Sequence, residues 1–200
     1  MNPGRRDKVE AIFETSGPVV RATTLREHGF CSKDLADLVA DRYLYRIRTG
    51  YYIKQTVMDE LSELELVTQF IPQGVIAMFS AAQYHGLTTV NPSSICIALP
   101  KDTRTPVLPE HPPITVYKFI RRIYEIGIEE IATQNCTMKI YDRERTVCDF
   151  LRMRLQFGED VAIEVLKSYM AGTKNLQRLY EYADMLQIKG VLKPYVEALL

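Results

Sequence analysis

No apolar run in this sequence approaches the ~20 residues that a membrane-spanning helix needs; the runs that stand out, 75–79 and 95–99, stop far short of it. The N-terminus, Met1-Asn2-Pro3-Gly4-Arg5-Arg6, leads into a charged amphipathic stretch instead of an apolar segment, so no secretory signal is expected. Cysteine is sparse. Cys31, Cys96, Cys136 and Cys148 share no short spacing, which argues against a disulfide framework and a structural zinc site and fits reduced thiols in the cytoplasm. Net charge is absent as well, 25 Lys and Arg balancing 25 Asp and Glu, so the total gives no nucleic-acid signal. What remains is 46% hydrophobic and 25% charged, close to the globular average, which excludes disorder as the dominant state. A length of 200 residues allows one or two domains.

The distribution of charge says more than its sum. Residues 1–56 carry 10 Lys and Arg against 7 Asp and Glu, whereas residues 57–115 carry 2 against 6. A basic front followed by an acidic segment points to an anion-binding module at the N-terminus.

Local patterns organise that front. Residues 5–15 place Val9, Ile12 and Phe13 at helical spacing, and Ser16-Gly17 ends the run. After a short extended stretch at Val19-Val20, Thr23 or Thr24 is positioned to cap a second helix over 25–28, closed by Gly29. Ser32 is expected to cap a third helix reaching about Asp41, with Leu35, Leu38 and Val39 facing inward. Residues 44–48 then alternate with period two, Thr49-Gly50 supplies a tight turn, and residues 51–54 return as a partner strand. Helix, short helix, turn, helix and hairpin is the order of a winged helix-turn-helix, in which one helix enters the major groove and the hairpin reaches adjacent phosphates. On that geometry the third helix presents Ser32, Lys33, Ala36, Asp37 and Ala40, and the wing presents Arg46 and Arg48 on one face, with Tyr45 and Tyr51 nearby. Arg46, Arg48, Lys33 and the helix N-terminus would meet phosphates. Asp34, Asp37 and Asp41 on the same helix oppose this, so weak binding per copy, strengthened by pairing on an inverted repeat, is expected.

The rest of the chain reads as mixed α/β with a helical end. One helix is expected over 58–71 and a short one over 81–85 capped by Ser80. Strands follow at 94–99, 114–119 and 137–141, then helices over 143–155 (capped by Asp142), 159–170, 175–186 and 191–200. Between the first two strands, residues 100–113 hold five prolines and read as a long exposed loop. The expected fold class is therefore α+β: a winged helix-turn-helix over 1–56, followed by a mixed α/β domain with a small sheet and a helical C-terminal part over 57–200. No internal repeat or low-complexity segment is evident.

Catalytic patterns are missing. There is no glycine-rich phosphate loop, no His-x-x-x-His pair and no Gly-x-Ser-x-Gly elbow. Ser80 and His85 are wrongly spaced to act as nucleophile and base on one helix, and His85 reads as a packed or capping histidine. Asp142, Glu144 and Asp149 with Arg143, Arg145 and Arg152 look at first like a nuclease cluster, but Arg145 and Asp149 have the i, i+4 spacing of an intrahelical ion pair. No enzyme, cofactor or metal is expected.

The stretch Gly29-Phe30-Cys31-Ser32 through Leu44-Tyr45-Arg46-Ile47-Arg48-Thr49-Gly50-Tyr51-Tyr52 resembles the N-terminal winged helix of the AbiEi family of antitoxins. Ser80-Ala81-Ala82-Gln83-Tyr84-His85-Gly86-Leu87-Thr88, the strand at 95–100, Tyr141-Asp142-Arg143-Glu144-Arg145-Thr146-Val147-Cys148-Asp149 and Gly158-Glu159-Asp160-Val161-Ala162 resemble the family's C-terminal domain, in the same order. The resemblance implies a transcriptional regulator and antitoxin of a type IV toxin–antitoxin, abortive-infection (phage-defence) system. It would repress its operon by binding inverted repeats in double-stranded promoter DNA, and counter a nucleotidyltransferase-like toxin, as a monomer or a weak dimer that pairs on DNA. Carried over by position, Ser32 and Lys33 on the third helix and Arg46 and Arg48 on the wing are the DNA-contact residues. The acidic third helix departs from the family's more basic pattern. The alternative is a protein-interaction module whose degenerate winged helix does not bind DNA.

Overall fold

A computed structural model of the chain describes residues 3–109 and 111–199; Met1, Asn2, Glu110 and Leu200, which the sequence analysis includes, lie outside them. The described residues form a mixed α+β protein with a three-stranded antiparallel sheet and a five-stranded mixed sheet. Two compact units divide the chain. One is Met1–Pro72 together with Pro106–Pro112, and the other is Gln73–Thr105 together with Pro113–Leu200. The boundary expected from the sequence lies earlier, at 56/57.

The first unit runs α1 (Pro3–Ser16), β1 (Val19–Arg21), α2 (Ala22–Glu27), α3 (Ser32–Ala40), β2 (Leu44–Arg48), β3 (Tyr51–Lys54), α4 (Gln55–Glu60) and α5 (Glu63–Phe70). Val9, Ile12 and Phe13 of α1 share one buried cluster with Leu25 of α2, Leu35 and Leu38 of α3, and Leu44 and Tyr52 of the hairpin, as the helical spacing predicts. The sheet order is β1-β3-β2, both pairings antiparallel. Gly50, at φ +81°, completes the Thr49-Gly50 turn in a conformation that costs a side-chain-bearing residue ~1 kcal/mol or more.

Three local expectations are corrected. Arg21, not Thr23 or Thr24, holds the N-cap of α2. Cys31, not Ser32, precedes the first turn of α3, and its backbone N–H donates to the Asp34 carboxylate at 2.8 Å. The single helix expected over 58–71 is two, because Ser62 and Glu65 close a capping box (Ser62 N–H to Glu65 Oε2 2.8 Å, Glu65 N–H to Ser62 Oγ 3.3 Å) and start α5 afresh.

The second unit contains β4 (Val75–Ile76), α6 (Met78–Tyr84), β5 (Ile95–Pro100), β6 (Ile114–Phe119), α7 (Arg121–Tyr124), β7 (Ile128–Ala132), β8 (Thr137–Tyr141), α8 (Arg143–Arg152), α9 (Arg154–Phe157), α10 (Glu159–Ala171), α11 (Leu176–Met185) and α12 (Lys189–Glu197). Its sheet order is β6-β5-β4-β8-β7. Because β5 and β6 are parallel neighbours, the chain must cross from one end of the sheet to the other between them; that crossover is the proline-rich segment read as a loop. Every residue of β5 is buried, which explains its unbroken apolar run. Ser80 does not cap α6. It sits inside that helix, and its Oγ accepts from the Cys96 N–H at 2.9 Å, tying α6 to β5. Among the described residues no helix is long and apolar enough to cross a membrane.

Candidate nucleic-acid interface

The first unit's core fixes how α2, α3 and the β2–β3 hairpin face one another. Leu25, Leu35, Leu38 and Leu44 bury one side of each element, and the Ala22 N–H at the start of α2 donates to the Gly50 carbonyl at the hairpin turn, 2.8 Å away. Between these elements lies a groove of about 830 Å³, lined among others by Arg21, Arg26, Ser32, Ala36, Arg46 and Tyr51, and by no Asp or Glu. Three arginines in the lining of one concavity, without a carboxylate beside them, make it a place for an anion.

The sequence-predicted residues distribute unevenly around this groove. Ser32 and Ala36 are exposed on α3 and line it, as do exposed Arg46, whose Nη2 donates to Thr49 Oγ1 at 3.1 Å, and half-buried Tyr51. Lys33 and Asp37 are exposed on α3 but do not line it. Tyr45 and Arg48, both half-buried, line a smaller cavity of about 480 Å³ with Arg46, Val107, Leu108 and His111. Ile47 is buried although it lies three residues from buried Leu44, on the other face by simple alternation, and a bulge between Arg46 and Arg48 shifts the register of the ladder. Arg48 donates from Nη1 to the Val107 carbonyl, and its guanidinium carbon stands 3.9 Å from the centre of the Tyr51 ring. Of the two hairpin arginines, only Arg46 reaches the larger groove.

The acidic face of α3 is also partly resolved. Asp34 is buried beneath α1, where it accepts from the Cys31 N–H and from Arg5 Nη1. Asp41 stands 3.9 Å from Arg6. The Cys31 backbone N–H, and after it Arg5, hold the Asp34 carboxyl below its ordinary range; Lys54, then Tyr43, do the same for Glu10. A carboxyl that titrates lower in the folded chain contributes stability that is complete above its unfolded value near pH 4 and is lost as pH falls through the lowered folded value. Urea titrations of the first unit are therefore expected to show a midpoint that drops on acidification in that window, with a shallower drop in Asp34→Asn.

Sequence reasoning missed Arg21 and Arg26. Both are exposed and line the groove, and the Arg21 guanidinium carbon lies 5.7 Å from the Tyr51 ring centre, within cation–π range. Their basic character was visible, but only the return of the hairpin sets them opposite Arg46. Arg5, Arg6 and Lys54 each have a carboxylate within 4.0 Å. Among the described residues Arg21, Arg26 and Arg46 have none.

In the second unit the carboxylates that look catalytic in sequence are each taken up by structure. Asp142 caps α8, accepting from the Arg145 N–H at 2.8 Å and from the Tyr182 hydroxyl at 2.9 Å. Glu144 accepts from the Tyr169 hydroxyl (2.8 Å) and the Asn175 N–H (3.2 Å). Asp149 is fully buried against Arg145 at 3.0 Å, the i, i+4 pair expected, with Arg152 also at 3.0 Å. His85 ends α6, and its Nε2 is 2.8 Å from the Tyr141 carbonyl, the packed role its position suggests. No cluster of three His, Cys, Asp or Glu among the described residues could hold a metal ion. Neither the protein-family models nor the curated proteins give a match to this chain.

Proposed function

We propose that the first unit is a winged helix-turn-helix that binds double-stranded DNA, and that the chain is a transcriptional regulator and antitoxin of the AbiEi kind. It would act by binding and not by catalysis, repressing its own operon and countering a nucleotidyltransferase-like toxin. The observation that carries the DNA-binding part is the groove bounded by α2, α3 and the hairpin, with three arginines and no carboxylate in its lining. Further support comes from the element order α1-β1-α2-α3-β2-β3 with sheet order β1-β3-β2, which matches a helix pair backed by a small sheet and a hairpin wing. The antitoxin part rests on the family resemblance of the ordered motifs in both halves of the chain.

Full-length protein is expected to shift duplex DNA from its own upstream region, with affinity falling steeply as salt rises. Arg46→Ala is expected to weaken binding about eightfold near 0.1 M salt, and alike for all sequences, since a phosphate contact releases about 0.9 of a counterion and reads no base. Absence of any shift at about 50 mM salt, where electrostatic binding is strongest, overturns the proposal. A protein partner co-purifying with a chain that binds no DNA would favour the interaction-module alternative, for which the acidic excess in residues 57–115 offers a surface. For the antitoxin part, co-expression with the neighbouring open reading frame is decisive: growth should be rescued from a nucleotidyltransferase-like product, and failure to rescue removes that part.

A further inference from the structure

We infer that the DNA backbone is gripped chiefly by Arg21 and Arg26, acting with Arg46, and that Arg48 belongs to the scaffold of the hairpin. This deepens the DNA-binding proposal and rests on it. Arg21 comes from the end of β1, Arg26 from α2 and Arg46 from β2, and all three line one groove. All are exposed, and no carboxylate among the described residues lies within ion-pairing distance of them. Their counter-charge therefore comes from solution anions, and the DNA in turn carries condensed cations, which a phosphate–guanidinium contact sets free. The hydroxyls of Thr23 and Ser32, in the same lining, add neutral donors of the kind that contact phosphate oxygens. Arg21 is steadied over the Tyr51 ring, which reduces the side-chain freedom lost on binding. Arg48 shares the Tyr51 ring with Arg21 but differs in exposure, in bonding and in lying outside the groove lining. It is half-buried, bonded to the Val107 carbonyl and stacked on Tyr51.

The test is the salt dependence of full-length protein binding to a labelled duplex of about 20 base pairs and arbitrary sequence, read by fluorescence anisotropy from about 50 to 400 mM KCl. Arg21→Gln with Arg26→Gln is expected to flatten the slope of log K against log salt by about 1.8, and to weaken binding roughly 60-fold at 0.1 M, the two lines converging toward 1 M. Arg21→Lys with Arg26→Lys keeps the slope, which separates charge from fold. Arg104→Gln with Arg122→Gln removes the same charge from exposed positions of the second unit and leaves the slope unchanged. Wild-type slope in the groove double variant, or equal flattening in the second-unit control, overturns the inference while leaving DNA binding intact. Wild-type protein that binds no duplex at all overturns the DNA-binding proposal itself.

Discussion

Arg145→Ala is expected to destabilise the second unit by about 3–5 kcal/mol, the range for breaking a buried ion pair by removing one partner. Arg145 has no exposed surface, and neither does Asp149. Its Nε donates to Asp149 Oδ2 at 3.0 Å, its Nη1 donates to the carbonyls of Ile123 and Ile126, and its guanidinium carbon lies 4.1 Å from the Tyr141 ring centre. Truncation at once opens a cavity, strips two carbonyls of a donor and leaves the Asp149 carboxylate with Arg152 alone. The cost is electrostatic in large part, so Arg145→Met combined with Asp149→Leu should recover much of it. It should also depend on pH. Burial already pushes the Asp149 carboxyl above its ordinary range, while Arg145 and Arg152 pull it down. Losing Arg145 raises it further. A carboxyl that titrates higher in the folded chain binds more protons there than when unfolded, so stability falls as pH rises between the two values. The deficit of Arg145→Ala should accordingly be larger at pH 8 than at pH 5. Urea unfolding followed by circular dichroism gives the loss, and amide exchange in α8 localises it; an unchanged midpoint and unchanged protection in α8 would show that Arg145 contributes nothing net.

Gly127→Ala is expected to cost about 2–4 kcal/mol, from overpacking together with a left-handed backbone. Gly127 has φ +73°, and a Cβ built there would stand 2.6 Å from the Cβ of Arg145 and 3.1 Å from both its Cγ and Tyr182 Cε2. Arg145 cannot move aside, since its Cβ is anchored to the α8 backbone and its head is bonded at three points. The Gly127 carbonyl also accepts from the Asp142 N–H at 2.9 Å, so a shift of this turn would disturb the start of α8. Gly190 is the contrast. It lies inside α12 with nothing within 4 Å of an added Cβ, and Gly190→Ala should stabilise by about 0.5–1 kcal/mol. Comparing thermal midpoints of the two variants checks both; equal effects would refute the packing account of Gly127.

Much of the local structure is legible in the sequence because the forces that set it act over a few residues. The apolar spacing of Val9, Ile12 and Phe13 defines the inner face of α1, Thr49-Gly50 defines the hairpin turn, and Asp142 defines the start of α8. Two strands left no such trace. Val75–Ile76 is too short to show a period, and Ile128–Ala132 is an edge strand whose exposed Glu129 and Glu130 break alternation. The helix expected over 58–71 overruns for a related reason: its apolar period continues through Leu61, but the side chain of Glu65 bonds back to Ser62 and restarts the helix.

The sequence by itself determined most of the helices, the basic hairpin and the i, i+4 spacing of Arg145 and Asp149. Each follows from residue type and short-range geometry. The tertiary structure alone decided which charges are spent inside the protein and which are left facing solvent. Asp34 turns under α1, Arg48 is held by a carbonyl from the segment Pro106–Pro112, and Arg145 is sealed from water, while Arg21, Arg26 and Arg46 converge on one groove. The physical reason is that the free energy of a charge depends on its solvent exposure and on partners brought from distant parts of the chain. Neither is a property of the few residues around it.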